Sequence, residues 1–200
     1  MLLALALALL LPTGDPPIRV KISDDVFIRG ERARVRVKTT ESGYLLVLRA
    51  DAQGRIRVLF PLEPGDDQAI RGGKEVEIRG RGGREAFTVD DGEGSGKILA
   101  VRSSQPFQFD AFARSGHWNY SALTPGDSVN DAEGALLSLV DRMSGGRYDY
   151  DLVTYTVTDH PPVGRWMRGW GWGGWGWGRP RGWGRPRDWG RWYDPWFGWP

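Results

Sequence analysis

The chain has 200 residues, of which 40% are hydrophobic, 26% charged and 12% aromatic, with 29 Gly and 13 Pro; at roughly 150 residues per domain this is one globular domain with tails. It contains no Cys and only His117 and His160, which excludes disulfides, thiolate zinc sites, thiol nucleophiles, a lipidated leader cysteine, a His-rich metal centre and most imidazole-dependent catalysis. The net charge of +2 averages two unlike regions: residues 165–200 hold seven Arg against two Asp, a charge of +5, which leaves −3 for residues 1–164.

Leu2 to Leu11 is an unbroken run of Leu and Ala, closed by Pro12-Thr13-Gly14-Asp15-Pro16-Pro17. Its ten residues are too few to span a bilayer, which takes about 20, but they match the roughly 7–15 residues of a signal-peptide core. No Lys or Arg precedes the run and no A-x-A site follows it. The two readings are an exported chain, with the leader cleaved or kept as a short anchor, and a buried N-terminal helix. Export is the preferred one, to the periplasm or cell envelope of a bacterium, with a cytoplasmic location if the run is not a signal. Residues 1–17 are thus leader and linker.

Residues 18–160 read as short strands with one helix. Ile18-Arg19-Val20-Lys21-Ile22 alternates apolar and charged residues, the period-2 pattern of a strand with one wet face. Ala33-Arg34-Val35-Arg36-Val37-Lys38 repeats it, and the two segments are expected to be antiparallel strands on one core. Tyr44-Leu45-Leu46-Val47-Leu48 is continuously apolar, as a strand covered on both faces would be. It runs through Asp51-Ala52-Gln53-Gly54 into Ile56-Arg57-Val58-Leu59-Phe60, and Gly54 can supply the positive φ a short hairpin loop needs. Further strands are expected at Val76–Ile78, Ala86–Val89, Ile98–Val101 and Leu152–Val157, the last with Val153, Tyr155 and Val157 on one face. From Ser128 to Met143 the apolar residues Val129, Ala132, Leu136, Leu139, Val140 and Met143 fall at helical spacing. Ser128 and Asp131 resemble a capping box and Gly145-Gly146 a stop. The helix, at about 129–143, is expected over an open end or edge of the sheet, where it would blunt a bare edge strand. Eight short strands between Gly, Pro and Asp clusters suggest a sandwich or barrel.

Gly43-Tyr44-Leu45, Leu48, Asp51, Gly54, Leu59-Phe60-Pro61, Ile70 with Gly72-Gly73, and Lys97-Ile98-Leu99-Ala100-Val101 with Ser103-Ser104 and Pro106 resemble the bacterial family called domain of unknown function 4384 over roughly residues 18–159. The resemblance implies an all-β fold, an immunoglobulin-like antiparallel β-sandwich, in exported or envelope-associated proteins. It implies no catalytic residues, so none is carried over. Arg79-Gly80-Arg81-Gly82-Gly83 departs from the family's strand end, and the tail has no counterpart in it.

The paired carboxylates Asp24-Asp25, Asp66-Asp67 and Asp90-Asp91 could act as acid and base or hold a hard cation, but each lies among Gly and Pro, where Asp favours turn geometry by itself. Asp90-Asp91-Gly92-Glu93-Gly94 is the best calcium candidate, yet it lacks alternating oxygen ligands. Asp149 and Asp151 share one face of a strand start and read as a solvated edge. His117-Trp118-Asn119-Tyr120 is either a binding loop or a cap that buries Trp118, the second being preferred. Ser103, Ser104 and Ser115 with His117 or His160 make no nucleophile elbow or legible triad. No catalytic residue, metal site or cofactor is expected.

Ten of the eleven Trp lie between Trp166 and Trp199, in Trp-Gly, Arg-Pro and Arg-Gly units, with Met167 as the sole aliphatic side chain. Residues 166–200 hold no Leu, Ile or Val, so no packed core is expected there, and residues 161–200 read as a disordered low-complexity tail. Indole favours membrane interfaces, guanidinium pairs with phosphate, and the two stack on one another. Trp170, Trp172, Trp175, Trp177, Arg179 and Arg181 are the candidate contact residues. The partners expected are an envelope component, anionic lipid or glycan, or a protein. Arg-Gly-aromatic chain also binds single-stranded nucleic acid, a reading that export disfavours, and an inert tail on a structural domain is the remaining alternative. The preferred function is a non-catalytic, envelope-associated binding or adaptor module.

Overall fold

The computed structural model describes residues 16–160 apart from residue 84 and residues 125–130. The leader and the tail contact residues Trp170, Trp172, Trp175, Trp177, Arg179 and Arg181 lie outside the described residues, as do Ser128 and Val129. In chain order the elements are β1 (Ile18–Ile22), β2 (Val26–Ile28), β3 (Arg32–Ala33), β4 (Val35–Thr39), β5 (Gly43–Ala50), β6 (Ile56–Phe60), β7 (Ala69–Ile70), β8 (Glu75–Ile78), β9 (Phe87–Thr88), β10 (Gly94–Ser103), a 3-10 turn (Asp110–Phe112), β11 (Ala113–Arg114), β12 (His117–Trp118), α1 (Tyr120–Leu123), α2 (Ala132–Met143) and β13 (Tyr148–Thr158).

The expected alternation of β1 and β4 pairs them antiparallel, Ile18 opposite Thr39 through Ile22 opposite Val35, and β8 continues this three-stranded sheet. A larger sheet runs β2-β13-β10-β5-β6, with β7 on β5. The β5–β6 hairpin closes as the sequence requires: the Asp51 N–H donates to Arg55 O at 3.0 Å and Gly54 has φ +76°. The strands expected at 98–101 and 152–157 extend to ten and eleven residues. Among the described residues all strand pairings are antiparallel except that of β2, which runs parallel to β13, Val26 opposite Thr156. That three-residue strand joins residues about 130 apart, so no local pattern announces it.

The larger sheet is buried on both faces, which explains the unbroken apolar run of β5. Leu45, Val47, Ile98, Ala100, Tyr155 and Val157 face the small sheet, meeting Ile18, Val20, Val35, Val37 and Ile78. Leu46, Leu48, Leu99 and Val101 face the other way, onto Leu136, Leu139, Val140 and Met143 of α2 and onto Phe109, Phe112 and Trp118. Each buried Leu, Val or Phe adds about 1.5–3 kcal/mol relative to an exposed one. The all-β expectation holds, with a helix as a third layer.

The cap and the seat of the helix are corrected, while its end at Met143 is as expected. It begins at Ala132 with Asp131 as its cap, whose side chain accepts from the Gly134 N–H at 2.9 Å. It ends because Ser144 turns to extended backbone (φ −88°, ψ 128°) while donating its N–H to Val140 O, ahead of Gly145. It also lies on the face of β5 and β10 rather than over an edge. The spacing of Leu136, Leu139, Val140 and Met143 makes a broad apolar stripe, and a sheet face offers more apolar area to cover than an edge does. Lys97 of β10 pairs with Glu133 at 3.1 Å and fixes the helix from its polar side.

Candidate functional site

Asp66-Asp67 behaves as turn chemistry: Asp66 Oδ2 accepts from the Glu63 N–H and Asp67 Oδ1 from the Ala69 N–H, both at 2.9 Å. Asp24 and Asp25 are exposed between β1 and β2. Asp91 departs from both the turn and the calcium readings. It is 0% exposed and forms an ion pair with Arg49, itself 2% exposed. The Arg49 Nε–H donates to the Tyr155 hydroxyl at 2.8 Å, and that hydroxyl donates to Asp91 Oδ2 at 2.8 Å. The Phe87 ring stacks 4.0 Å from the guanidinium, and Asp90 lies 3.6 Å from Arg49 Nη2. A Cβ at Gly96, the register partner of Tyr155, would overlap the tyrosine ring, so glycine there admits the network. Burial would lower the Arg49 pKa, but Tyr155 and Asp91 outweigh it and raise it. Burial would likewise raise Asp90, yet the Arg49 charge holds that carboxyl below its ordinary value. The network joins β5, the Asp90-Asp91 loop and β13 in the interior. A signal for it existed in the sequence: Arg49 stands inside an apolar strand, at a core-facing position.

Asp149 and Asp151 are not merely a solvated edge. Asp151 Oδ2 accepts from the Val20 N–H at 2.7 Å, tying the small sheet to β13. Asp149 accepts from Arg102 Nη1 at 3.0 Å. Arg102 Nη2 also donates to Glu41 at 2.6 Å and to Ser42 O at 2.9 Å. Glu41, Arg102 and Asp149 line an open cleft of about 500 Å³ together with Ser104, Arg147 and Tyr148. Two carboxylates and a carbonyl engage the Arg102 guanidinium, so the cleft's deepest cation is already neutralised by the fold. The Ser103 hydroxyl accepts from the Gln105 N–H at 3.1 Å and is buried, a loop-fixing role.

Burial, then the hydrogen bond to Asp141, pushes the Tyr148 hydroxyl up to about 12 from an ordinary 10.0. The folded state holds this proton more tightly, so the contribution is complete below pH 10, where unfolded tyrosine is also protonated, and is lost as the pH rises through about 12. A tyrosinate absorbance titration of Tyr148→Phe should lack one step near pH 12, and an unchanged titration would refute the assignment.

The His117-Trp118-Asn119-Tyr120 cluster resolves as a cap. Trp118 is buried, its Nε1–H donating to Pro61 O at 3.3 Å and Leu62 O at 3.0 Å, edge-on to Phe109 at 4.8 Å. His117 is exposed, with Nδ1 3.2 Å from Glu63 Oε2. His160 is exposed at the end of β13, its carbonyl accepting from the Thr158 hydroxyl at 2.7 Å.

A further surface feature among the described residues is the outer face of the small sheet. Alternation that sends Ile18, Val20, Val35 and Val37 inward leaves Arg19, Lys21, Arg34, Arg36 and Lys38 exposed. Beside β1 and β4 a cleft of about 270 Å³ is lined by Lys21, Ile22, Ser23, Arg34 and Arg36. The sequence showed these cations only as the wet side of two strands.

Over residues 26–106 the chain matches the family model described as a domain of unknown function (DUF4384), the family it resembles in sequence. The match spans β2 to the end of β10 and leaves β1, α2 and β13 outside it. Neither curated proteins nor solved structures yield a match.

Proposed function

We propose that this chain, with that family segment at its centre, is a non-catalytic, envelope-associated binding or adaptor module, in which the sandwich is a rigid platform and the tail is the adhesive element. The observation that supports the reading is a division of labour along the chain. Among the described residues every buried side-chain nitrogen and oxygen has a hydrogen-bond partner, so the platform's interior polar groups serve the fold. Ten of eleven Trp and a charge of +5 are concentrated beyond residue 164. The apolar run Leu2–Leu11 supports export to the periplasm or cell envelope, and Trp with Arg suits an interface that carries anionic groups.

Co-sedimentation of the full chain with anionic vesicles and with insoluble cell-wall material, at two salt concentrations, tests this. Replacing Trp170, Trp172, Trp175 and Trp177 by Ala and Arg179 and Arg181 by Ser should weaken capture on the preferred surface by on the order of tenfold. Capture should also fall with added salt, because the Arg contribution is screened. Equal capture of both chains would make the tail inert. Binding only to single-stranded nucleic acid would favour the other use of an Arg-Gly-aromatic segment.

A further inference from the structure

We propose that the outer face of the β1-β4-β8 sheet is a second contact with anionic phospholipid, in which the cleft between Lys21, Arg34 and Arg36 seats a headgroup phosphate. The inference deepens the envelope reading above and rests on it.

The register sets the charge pattern. Arg19 stands directly opposite Lys38, and Lys21 directly opposite Arg36. Like charges placed opposite one another on a sheet face oppose its formation, and Thr or Gln would satisfy the same exposed positions without that repulsion. On the far flank β8 sets Glu77 opposite Arg36 and Glu75 opposite Lys38, so the unbalanced positive charge lies on β1, where Arg19 and Lys21 face only cations across the register. Asp24 and Asp25 begin the following turn.

The cleft is sized and lined for a phosphate. Its volume of about 270 Å³ exceeds several times the roughly 30 Å³ share of a water molecule. Arg34 and Arg36 offer planar forks that match phosphate oxygens two at a time, and Lys21 adds a point charge. Ser23 accepts the Arg34 N–H through Oγ at 3.3 Å, which orients its hydroxyl at the cleft's rim.

Two observations favour a membrane as the source of that phosphate. The cations spread over two adjacent strands, a planar array that a planar array of headgroups can meet at several points, whereas a single linear polyanion would follow one row. β1 begins seven residues after Leu11, the end of the apolar run. The six linker residues reach at most about 20 Å when fully extended, so a leader kept as an anchor would hold this face close to the leaflet, where attraction decays over roughly 8–10 Å.

The test uses the full chain, the face variant Lys21→Gln/Arg36→Gln and the tail variant described above. Each is sedimented with phosphatidylglycerol–phosphatidylcholine vesicles and with pure phosphatidylcholine vesicles. Gln relieves the opposition of Lys21 and Arg36 and also gives up the pairing of Arg36 with Glu77, two cross-strand contributions of similar size and opposite sign. The face variant should therefore unfold near the parent's denaturant concentration, and that unfolding curve separates misfolding from lost binding. The expected result is a loss of phosphatidylglycerol-dependent binding by on the order of tenfold in the face variant, with Lys21→Arg/Arg36→Lys retaining most of it. Unchanged binding of the face variant overturns the inference while leaving the tail reading intact. Loss in the face variant with no loss in the tail variant supports the inference and overturns the tail's adhesive role. Capture on cell wall or nucleic acid with none on phosphatidylglycerol vesicles overturns it as well.

Discussion

Replacing Asp91 by alanine is expected to lower the unfolding free energy by about 3–5 kcal/mol, because it strands a guanidinium in the interior. Arg49 is 2% exposed and Asp91 0%, so water cannot take over the lost interaction. Asp90, at 3.6 Å from Arg49 Nη2 but with a side chain 57% exposed, can recover only part of it. Removing the cation should be comparably costly, since Arg49→Met leaves Asp91 as a buried anion holding the Tyr155 hydroxyl and, at 3.4 Å, the Ala52 N–H. The physical point is the asymmetry: a buried pair adds little net stability, while half of one costs a great deal. The triple variant Arg49→Met/Asp91→Leu/Tyr155→Phe should therefore be more stable than either single variant, although three buried polar groups have gone. Urea unfolding followed by circular dichroism decides this. An Asp91→Ala loss below about 1 kcal/mol would show that the pair is not held as tightly as its geometry requires.

Trp118→Ala is the second large effect, with an expected loss of about 3–5 kcal/mol. The indole fills the space between Phe109 and the segment that follows β6, and its N–H satisfies carbonyls of two consecutive residues, Pro61 and Leu62. Truncation opens a cavity and removes the donor together. Trp118→Phe separates the two contributions: it keeps most of the packing and should cost only about 1–3 kcal/mol, for the carbonyls left without their donor. Circular dichroism is the suitable probe, because the ten tail tryptophans would dominate fluorescence. Equal losses for Phe and Ala would assign the effect to the hydrogen bonds alone.

Much of the architecture was legible in the chain because it is written locally. Alternation at Ile18–Ile22 and Val35–Lys38 names both the buried and the wet side of each strand, since the side-chain period is two. The run Tyr44–Leu48 declares two covered faces, and Asp51 to Gly54 declares a turn through the conformational freedom of Gly54. The spacing Leu136, Leu139, Val140, Met143 declares a helix, because a face repeats every 3.6 residues. Composition alone marks residues 165–200 by their Trp and Arg content.

What only the tertiary structure decided depends on residues far apart in sequence. The helix could be recognised from its own residues, but its seat on the face of β5 and β10 follows from the apolar residues those strands leave uncovered. Asp91 looked like a turn residue because its neighbours are Asp and Gly. Its partner Arg49 is 42 residues away and Tyr155 a further 64, and only folding sets these groups in one dry site where each satisfies the others. The cations of β1 and β4 were visible singly, whereas their opposition across the sheet required the register, and a register is fixed by which hydrophobic faces must meet in the core. Local periodicity thus specifies elements and their faces. The burial of charge and the clustering of like charge are settled by packing, because both depend on the dielectric surroundings and neighbours that only the assembled fold supplies.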